Sequence, residues 1–366
     1  MRILVAPDKF AGTLTAAEAA EAIVDGWHRH APDDELQTVP MADGGPGFVH
    51  TLHASLGGEL HAVTVSGPYG DPTPGSVLLD GGVGGTAYVE SAQACGLHLT
   101  PEAERRPERA TTTGVGELIA AAVDAGAARI VIGLGGSATN DAGAGMLSSL
   151  GATADVDLRA GVAGLAGVSQ VNVTPARELV SGVTLVAASD VDNPLLGLRG
   201  AINVFGPQKG VRDERRPPLD ALLEEFAAAT DRRLADSPGA GAAGGLGFAL
   251  LLLGATREAG LDLVADAVDL PAHARAVDLV ITGEGAFDYS SRGGKVVYGV
   301  AQVAAAATRP CVVLAGRVDV GAREMRTLGV ESAYSMVEQV GTAKAMEEPA
   351  ESLAALAARV ARTWSR

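Results

Sequence analysis

The stretch VIGLGGSATNDAGAG, residues 131–145, carries the most information about this chain. The apolar residues 129–132 predict a buried strand, and Asp141 opens an apolar stretch, residues 146–150, that predicts a helix. A strand, a tight loop and a helix N-terminus present backbone N–H groups and a favourable dipole to a phosphate or a carboxylate. The stretch therefore indicates an α/β fold with an anion site, and a plain glycine-rich turn is the alternative interpretation.

Length, composition and charge narrow the class of protein. The chain has 366 residues, enough for two α/β domains or a single large one. Hydrophobic residues make up 47% and charged residues 20%, which is typical of a globular protein with a large core. The formal net charge of −16 argues against nucleic acid or an anionic membrane as a partner, because both need a basic face. Small anions respond to local fields and are not excluded.

The cysteines and the apolar runs indicate a cytoplasmic protein. Cys95 and Cys311 are far apart and form neither a disulfide framework nor a metal motif, which fits a reducing compartment. The first residues, MRILVAPD, predict a strand rather than a signal peptide. The longest apolar run, residues 248–254, is too short to span a bilayer.

The start of the chain predicts a parallel sheet. Residues 2–7 read as a strand, TAAE at 15–18 is a capping box for a helix that ends near His30, and residues 36–40 read as the next strand. This βαβ unit requires parallel strands. Residues 59–65 and 76–79 are short strands joined by the turn 67–72, which indicates the entry to a second domain with some antiparallel sheet.

The later part of the chain again predicts strands of a parallel sheet that alternate with helices. Strands are predicted at 129–132, 183–188, 278–281, 311–314 and 332–336, and helices at 115–124, 142–150, 217–235, 296–307 and 350–362. The simplest organisation is one α/β domain built from both ends of the chain, residues 1–63 and 256–366, with an α/β domain of residues 64–255 inserted.

Polar or glycine-rich clusters follow strand after strand. These clusters are Asp8-Lys9, Asp43-Gly44-Gly45, Gly135-Gly136-Ser137, Asp190, Glu284-Gly285 and Gly316-Arg317. Ligands of open α/β sheets bind at the carboxyl ends of strands, and carboxylates beside anion-binding turns suit a magnesium nucleotide. The alternative for any single aspartate is a turn or a helix cap.

Two lysines are candidate phosphate ligands. Lys295 follows two glycines at a predicted helix start, where a cation opposes the helix dipole, so a phosphate partner explains it better than fold stability does. Lys209 lies in GPQKG, residues 206–210, and a solvated loop lysine is the equal alternative.

Partial matches to nucleotide motifs are weak. Gly239, Gly241 and Gly244 fit the dinucleotide fingerprint, but a Ser-Pro pair rather than a strand precedes them. The loop at Gly133 follows a strand but lacks a clear acidic partner. No Walker A sequence is present, because Val296 follows Lys295.

Taken together, these motifs resemble the class I glycerate kinases. The resemblance rests on segments that occur in family order along nearly the whole chain: residues 6–15, 41–45, 135–146, 189–195, 205–210, 239–247 and 281–285. It implies two α/β domains, namely a discontinuous flavodoxin-like (Rossmann-like) parallel-sheet domain with a second, mixed-sheet domain inserted. It also implies an active site in the cleft between them.

The resemblance further implies phosphorylation of D-glycerate with ATP and Mg²⁺, most simply to 2-phosphoglycerate, with 3-phosphoglycerate as the alternative product. Asp190 is expected to orient the acceptor hydroxyl and Asn193 to hold Asp190, while Lys295 faces a phosphate. Asp43, Glu284 or Asp288 is expected to hold Mg²⁺. The expected substrate- and phosphate-binding residues are Asp8, Lys9, Gly44, Gly45, Gly135, Gly136, Ser137, Thr139, Asn140, Asp141 and Lys209. A homodimer is possible.

The chain departs from the family pattern at a few positions. Many members have Lys where this chain has Ala11, Glu where it has Pro46, and Tyr where it has Thr113; the family arginine before Lys295 is shifted by one place, leaving Gly293. Ala11 and Gly293 remove cations, so the substrate preference could be shifted. The alternatives are a kinase for another small hydroxy acid, a nucleotide-binding regulator without turnover, and a dehydrogenase that uses the Gly133 loop.

Overall fold

The fold is seen in a computed structural model that describes residues 1–288 and 296–365. Its backbone contacts divide the chain into two compact units. Unit 1 comprises Met1–Asp43, His50–Gly57 and Ala259–Arg366, and unit 2 comprises Gly44–Val49 and Gly58–Glu258. Both ends of the chain thus belong to unit 1. The domain boundaries predicted from the sequence, at 63/64 and 255/256, stay a prediction.

The strands of the described residues are numbered in chain order. They are β1 (Arg2–Val5), β2 (Glu35–Thr38), β3 (Glu59–Ser66), β4 (Pro72–Asp80), β5 (Thr86–Glu90), β6 (Arg129–Gly133), β7 (Thr153–Ala154), β8 (Val171–Asn172), β9 (Thr184–Ala188), β10 (Thr256–Glu258), β11 (Leu279–Thr282), β12 (Ala286–Phe287), β13 (Cys311–Ala315), β14 (Arg317–Val318) and β15 (Ser332–Ser335).

The α-helices of the described residues are numbered in the same way. They are α1 (Ala16–His28), α2 (Phe48–Leu56), α3 (Ala92–Cys95), α4 (Thr113–Asp124), α5 (Ala144–Ser149), α6 (Thr174–Leu179), α7 (Ala201–Phe205), α8 (Arg216–Ala229), α9 (Ala242–Leu252), α10 (Gly260–Ala267), α11 (Leu270–Ala276), α12 (Val296–Ala306), α13 (Ala322–Thr327), α14 (Met336–Val340), α15 (Thr342–Glu347) and α16 (Pro349–Trp364). No helix in this part of the chain is long and apolar enough to cross a membrane.

Unit 1 contains a parallel sheet with the strand order β15-β13-β11-β1-β2. Counted along unit 1, this is the flavodoxin-like order 2-1-3-4-5, and the predicted parallel sheet is confirmed. Helices α1 and α16 share one buried core with the sheet. They approach so closely that a Cβ atom on Gly26 would lie 2.0 Å from the carbonyl oxygen of Ala354, so only glycine fits there.

The predicted capping box begins α1 as expected. The Thr15 hydroxyl accepts a hydrogen bond from the backbone N–H of Glu18 at 3.2 Å, and the Glu18 carboxylate accepts one from the backbone N–H of Thr15 at 2.8 Å. Two of the N–H groups that a helix start leaves unpaired are thereby satisfied. This local signal could be read from four residues because its partners are neighbours in sequence.

Unit 2 contains a mixed sheet with the order β10-β9-β6-β5-β4-β3. The hairpin of β3 and β4 and the pair of β4 and β5 are antiparallel, whereas β5, β6, β9 and β10 run parallel. The carboxyl ends of β5, β6 and β9 therefore lie at one edge of the sheet. The predicted mixed sheet is confirmed, and its second antiparallel partner is β5, which the sequence analysis missed.

Two helices differ from the sequence prediction. The helix predicted at 217–235 ends at Ala229, because Thr230 leaves helical geometry (φ −119°, ψ −91°), and a 3₁₀ turn follows at Arg232–Asp236. The helix predicted from residue 142 begins at Ala144, because Ala142 (φ 54°) and Gly143 (φ 74°) are left-handed. A left-handed residue cannot continue a right-handed helix.

Candidate active site

Two buried carboxylates lie at the carboxyl edge of the unit 1 sheet. Asp8 follows β1 and is 8% exposed, and Glu284 follows β11 and is 6% exposed. The loops are adjacent, because the backbone N–H of Asp8 donates to the carbonyl oxygen of Gly283 at 2.8 Å. In a 2-1-3-4-5 sheet, the gap between the first and third strands is the topological switch point where ligands bind. The sequence-predicted residues Asp8 and Glu284 therefore occupy the expected position in this fold.

Lys9 connects the aspartates of this edge. Its ammonium nitrogen lies 3.6 Å from the carboxylate of Asp43 and 3.9 Å from that of Asp8. Asp43 ends the segment after β2, and its side chain is 32% exposed. The structure thus brings Asp8, Lys9 and Asp43 together, while their roles in a site stay a prediction.

A cavity of about 540 Å³ lies against these residues. Its polar lining includes Asp8, Lys9, Asp43, Glu284 and Asp288. Its apolar lining includes Phe10, Met336, Val337, Ala345 and Met346. A cavity with carboxylates and an apolar surface suits a ligand that has both a charged part and a flat apolar part.

The carboxylates fit a magnesium ion that is shared with a ligand. Among residues 1–288 and 296–365, no cluster of three or more His, Cys, Asp or Glu side chains is placed to hold a metal ion. Mg²⁺ is usually bound by one or two carboxylates together with waters and substrate phosphates. Glu284 and Asp288 line one cavity and supply oxygen donors of that kind, so the donor set suits Mg²⁺ bound with a nucleotide rather than alone.

The loop after β6 in unit 2 packs against the Gly44–Gly45 segment. The backbone N–H of Gly135 donates to the carbonyl oxygen of Gly44 at 3.1 Å. A Cβ atom on Gly135 would lie 2.5 Å from the Cα atom of Gly45. These glycines are therefore required for a close approach of two backbones, a reason that the sequence pattern did not reveal. Gly136 is exposed beside them.

Asp141 is completely buried and ties this loop to α4. Its carboxylate accepts hydrogen bonds from the backbone N–H and the hydroxyl of Thr112, both at 2.9 Å. It also accepts from the backbone N–H groups of Gly143 and Gly145, at 3.1 and 3.2 Å. Burial raises the pKa of Asp141. These contacts describe a residue that positions the loop and the start of α5.

Lys209 is 2% exposed and reaches the same loop. Its ammonium group donates to the carbonyl oxygen of Thr139 at 2.6 Å and to the hydroxyl of Ser137 at 3.1 Å. Burial lowers the pKa of Lys209 to about 8. The side chain of neighbouring Asn140 donates to the carbonyl oxygen of Pro107 at 3.2 Å, while its Oδ1 atom has no hydrogen-bond partner among the described residues.

Asp190 follows β9 at the edge where the loop after β6 begins. Asp190 and Asn193 are both half-buried, and the Asn193 amide donates to the carbonyl oxygen of Arg199 at 2.8 Å. Asp192 is directed to an ion pair with Arg257 at 2.6 Å. The predicted phosphate ligand Lys295 lies outside the described residues, as do Gly293 and Gly294.

Sequence analysis missed one buried carboxylate at this edge. Glu90 ends β5, is 3% exposed, and accepts hydrogen bonds from the backbone N–H groups of Gly47 at 3.1 Å and Val49 at 3.3 Å. The alternating stretch TAYVE, residues 86–90, is the signal that could have identified β5 and so placed Glu90 at a strand end.

Comparisons with known proteins agree with this fold and identify a family. The model of the glycerate kinase family matches residues 3–365. The glycerate kinase of Bacillus subtilis (strain 168) is 41% identical over 346 residues, which cover 92% of this chain and 90% of that protein. The glycerate 2-kinase of Escherichia coli (strain K12) is 38% identical over 352 residues, covering 93% and 92%. A crystal structure from Salmonella typhimurium LT2 that carries the name glycerate kinase 2 superposes with a TM-score of 0.82 at 37% identity, covering 99% and 98%.

The flavodoxin-like sheet, the acidic cavity and these matches define the chain as a kinase of the α/β class. It belongs to the glycerate kinase family. Membership supports phosphorylation of glycerate, with ATP as the co-substrate.

Proposed function

We propose that this chain transfers the γ-phosphoryl group of ATP to D-glycerate and forms 2-phosphoglycerate. The observation that carries the proposal is the pair of buried carboxylates, Asp8 and Glu284, at the switch point of a flavodoxin-like sheet in a member of the glycerate kinase family. Carboxylates are the oxygen ligands that Mg²⁺ takes together with substrate phosphates, so this pair supports a site for a magnesium nucleotide.

The nucleotide is assigned to the unit 1 cavity. Met336, Val337 and Met346 supply an apolar surface for a flat base, and Met346 is 59% exposed before anything covers it. Glu284 and Asp288 would hold Mg²⁺ together with the phosphates, with Asp43 able to act directly or through water. Bound Mg²⁺ would neutralise charge on the phosphate oxygens. Lys9 and Arg317 are the cations among the described residues that line the cavity.

Transfer of a phosphoryl group depends on positioning and on neutralising charge more than on covalent chemistry. Asp190 is proposed to accept a hydrogen bond from the glycerate hydroxyl and to take its proton as the new P–O bond forms and ADP leaves. Asn193 fixes the segment through its bond to Arg199. The loop with Gly135, Gly136, Ser137, Thr139 and Asn140 is proposed to donate hydrogen bonds to an anion. The predicted location between the two domains stays a prediction.

A second acceptor is tested alongside D-glycerate because of one departure from the family pattern. Ala11 lines the unit 1 cavity where many members have Lys, so one cationic contact is lost. The second candidate is a kinase for another small hydroxy acid, and tartronate is the acceptor that represents this class.

The test is coupled ADP release with Mg-ATP and four arms: D-glycerate, L-glycerate, tartronate and no acceptor. We expect release that depends on D-glycerate and is at least tenfold faster than with the other acids. Faster release with tartronate would replace the proposed substrate. Binding of ATP without acceptor-dependent release would instead indicate a regulator.

A further inference from the structure

Unit 2 contains a second, differently charged cavity of about 300 Å³. Its lining includes the guanidinium groups of Arg106, Arg109 and Arg159 and the side chains of Thr111 and Thr113. No carboxylate is among the described residues that line it. A local concentration of three positive charges stands out in a chain with a net charge of −16.

Arg215 has a carboxylate partner, whereas these three arginines have none among the described residues. The guanidinium group of Arg215 donates two hydrogen bonds to the carboxylate of Glu108, each at 2.7 Å. In the part of the chain that the structure describes, Arg106, Arg109 and Arg159 form no ion pair. Their charge is therefore directed at the cavity and the solvent, and an anionic ligand would supply the missing partner.

Two of the three arginines have fixed positions. The guanidinium carbon of Arg106 lies 4.5 Å from the ring centroid of Tyr69, a cation–π contact, and its backbone N–H donates to the Tyr69 hydroxyl at 2.8 Å. The Nε atom of Arg159 donates a hydrogen bond to the hydroxyl of Ser148 at 3.2 Å. This bond does not use the two terminal nitrogens of the guanidinium group. Such preorganisation lowers the entropic cost of binding an anion.

The buried side of the cavity adds uncharged donors. Thr111 and Thr113 are 5% and 4% exposed, and their hydroxyl oxygens lie 2.9 Å apart. Helix α4 begins at Thr113 and continues for 12 residues, so the positive end of its dipole is at the cavity. Between them, Thr112 is held by Asp141, which fixes the start of the helix.

We propose that this cavity binds a small phosphate-bearing anion. Guanidinium groups pair with phosphate oxygens through two parallel hydrogen bonds, and three of them match a dianion better than a single carboxylate. The volume admits a three-carbon phosphate monoester as well as free phosphate. The cavity shares no residue with the nucleotide cavity assigned above, and the proposal does not depend on the kinase assignment.

The test is isothermal titration of the whole chain at low ionic strength. The probes are inorganic phosphate, 2-phosphoglycerate and D-glycerate, without ATP or Mg²⁺. The double variant Arg109→Gln with Arg159→Gln is compared with Arg233→Gln and with Arg212→Gln, which change exposed arginines that do not line this cavity. Thermal unfolding of each variant checks that the fold is retained, as expected for exposed side chains.

We expect wild type and both single variants to bind phosphate or the phosphate monoester, with affinity at least tenfold weaker in the double variant. Tighter binding of 2-phosphoglycerate than of inorganic phosphate would identify an ester site, and the reverse order a free-phosphate site; either supports the proposal. Equal binding by wild type and the double variant would overturn it, as would no binding, or binding of D-glycerate as tight as that of the phosphates.

Discussion

At the residue scale, charged side chains that all follow predicted strands or glycine-rich loops differ in their surroundings in the structure. Asp8 and Glu284 line the unit 1 cavity, whereas Asp141 and Lys209 are buried in unit 2 and hold a loop there through hydrogen bonds. The sequence could place all four near strand ends, because loops after parallel strands meet at one edge. It could not show which side chain is enclosed, because enclosure depends on the packing of α4, α5 and the 206–210 segment, which are distant in sequence.

The buried lysine makes stability depend on pH in a defined direction. The pKa of Lys209 falls from 10.5 to about 8 in the folded chain. Between those values the unfolded chain binds one more proton than the folded chain, so the free energy of unfolding rises with pH, by at most about 1.4 kcal/mol per pH unit. Below pH 8 both states carry the proton and the contribution is constant.

The comparison is wild type against Lys209→Met, by urea unfolding at pH 7.5, 8.5 and 9.5. Between pH 8.5 and 9.5, we expect the free energy of unfolding of wild type to rise by roughly 1 kcal/mol relative to that of Lys209→Met. The same difference at all three values would show that the folded lysine keeps its proton.

A matched pair of aspartates tests the proposed base. Asp190→Asn keeps the shape of the side chain but removes its ability to accept a proton, so we expect kcat to fall by about 10²-fold or more. Asp192→Asn is the control, because its partner is Arg257 at the surface. Steady-state kinetics with Mg-ATP and D-glycerate measures both. Turnover near wild type in Asp190→Asn would remove the assignment.

At the element scale, local signals were predictable and distant ones were not. The α1 capping box was predicted from four adjacent residues. The predicted end of α8 was wrong, because the break at Thr230 depends on the turn that follows rather than on helix propensity. The start of α5 was placed two residues early, because left-handed Ala142 and Gly143 are set by the glycine-rich contacts around them.

Asp141 gives a prediction for the elements that it joins. Asn at this position keeps one acceptor oxygen and directs an amide donor at N–H groups, so buried donors at the starts of α4 and α5 lose their partner. We expect Asp141→Asn to lower the free energy of unfolding by about 2–4 kcal/mol. Asp33→Asn, at an exposed position, is expected to change it by less than about 0.5 kcal/mol. Urea unfolding measures both, and equal effects would show that the four hydrogen bonds contribute little.

At the scale of the whole molecule, fold class came from the order of motifs more than from any single one. The βαβ start predicted a parallel sheet, and the resemblance to class I glycerate kinases predicted its flavodoxin-like order, which β15-β13-β11-β1-β2 confirms. The arginine-lined cavity was not predictable, because Tyr69, Arg106 and Arg159 come from three separate segments that only the fold brings together. Net charge averaged over the chain conceals such a local field.

The most direct test of the central claim is ³¹P NMR of the reaction with Mg-ATP and D-glycerate, with proton-coupled spectra to locate the phosphorylated carbon. The account predicts that ATP converts to ADP while one phosphomonoester signal grows, coupled to the single proton on C2 as in 2-phosphoglycerate. Coupling to the two protons on C3 would contradict the proposed product. Growth of inorganic phosphate alone, or no loss of ATP, would contradict phosphoryl transfer to glycerate.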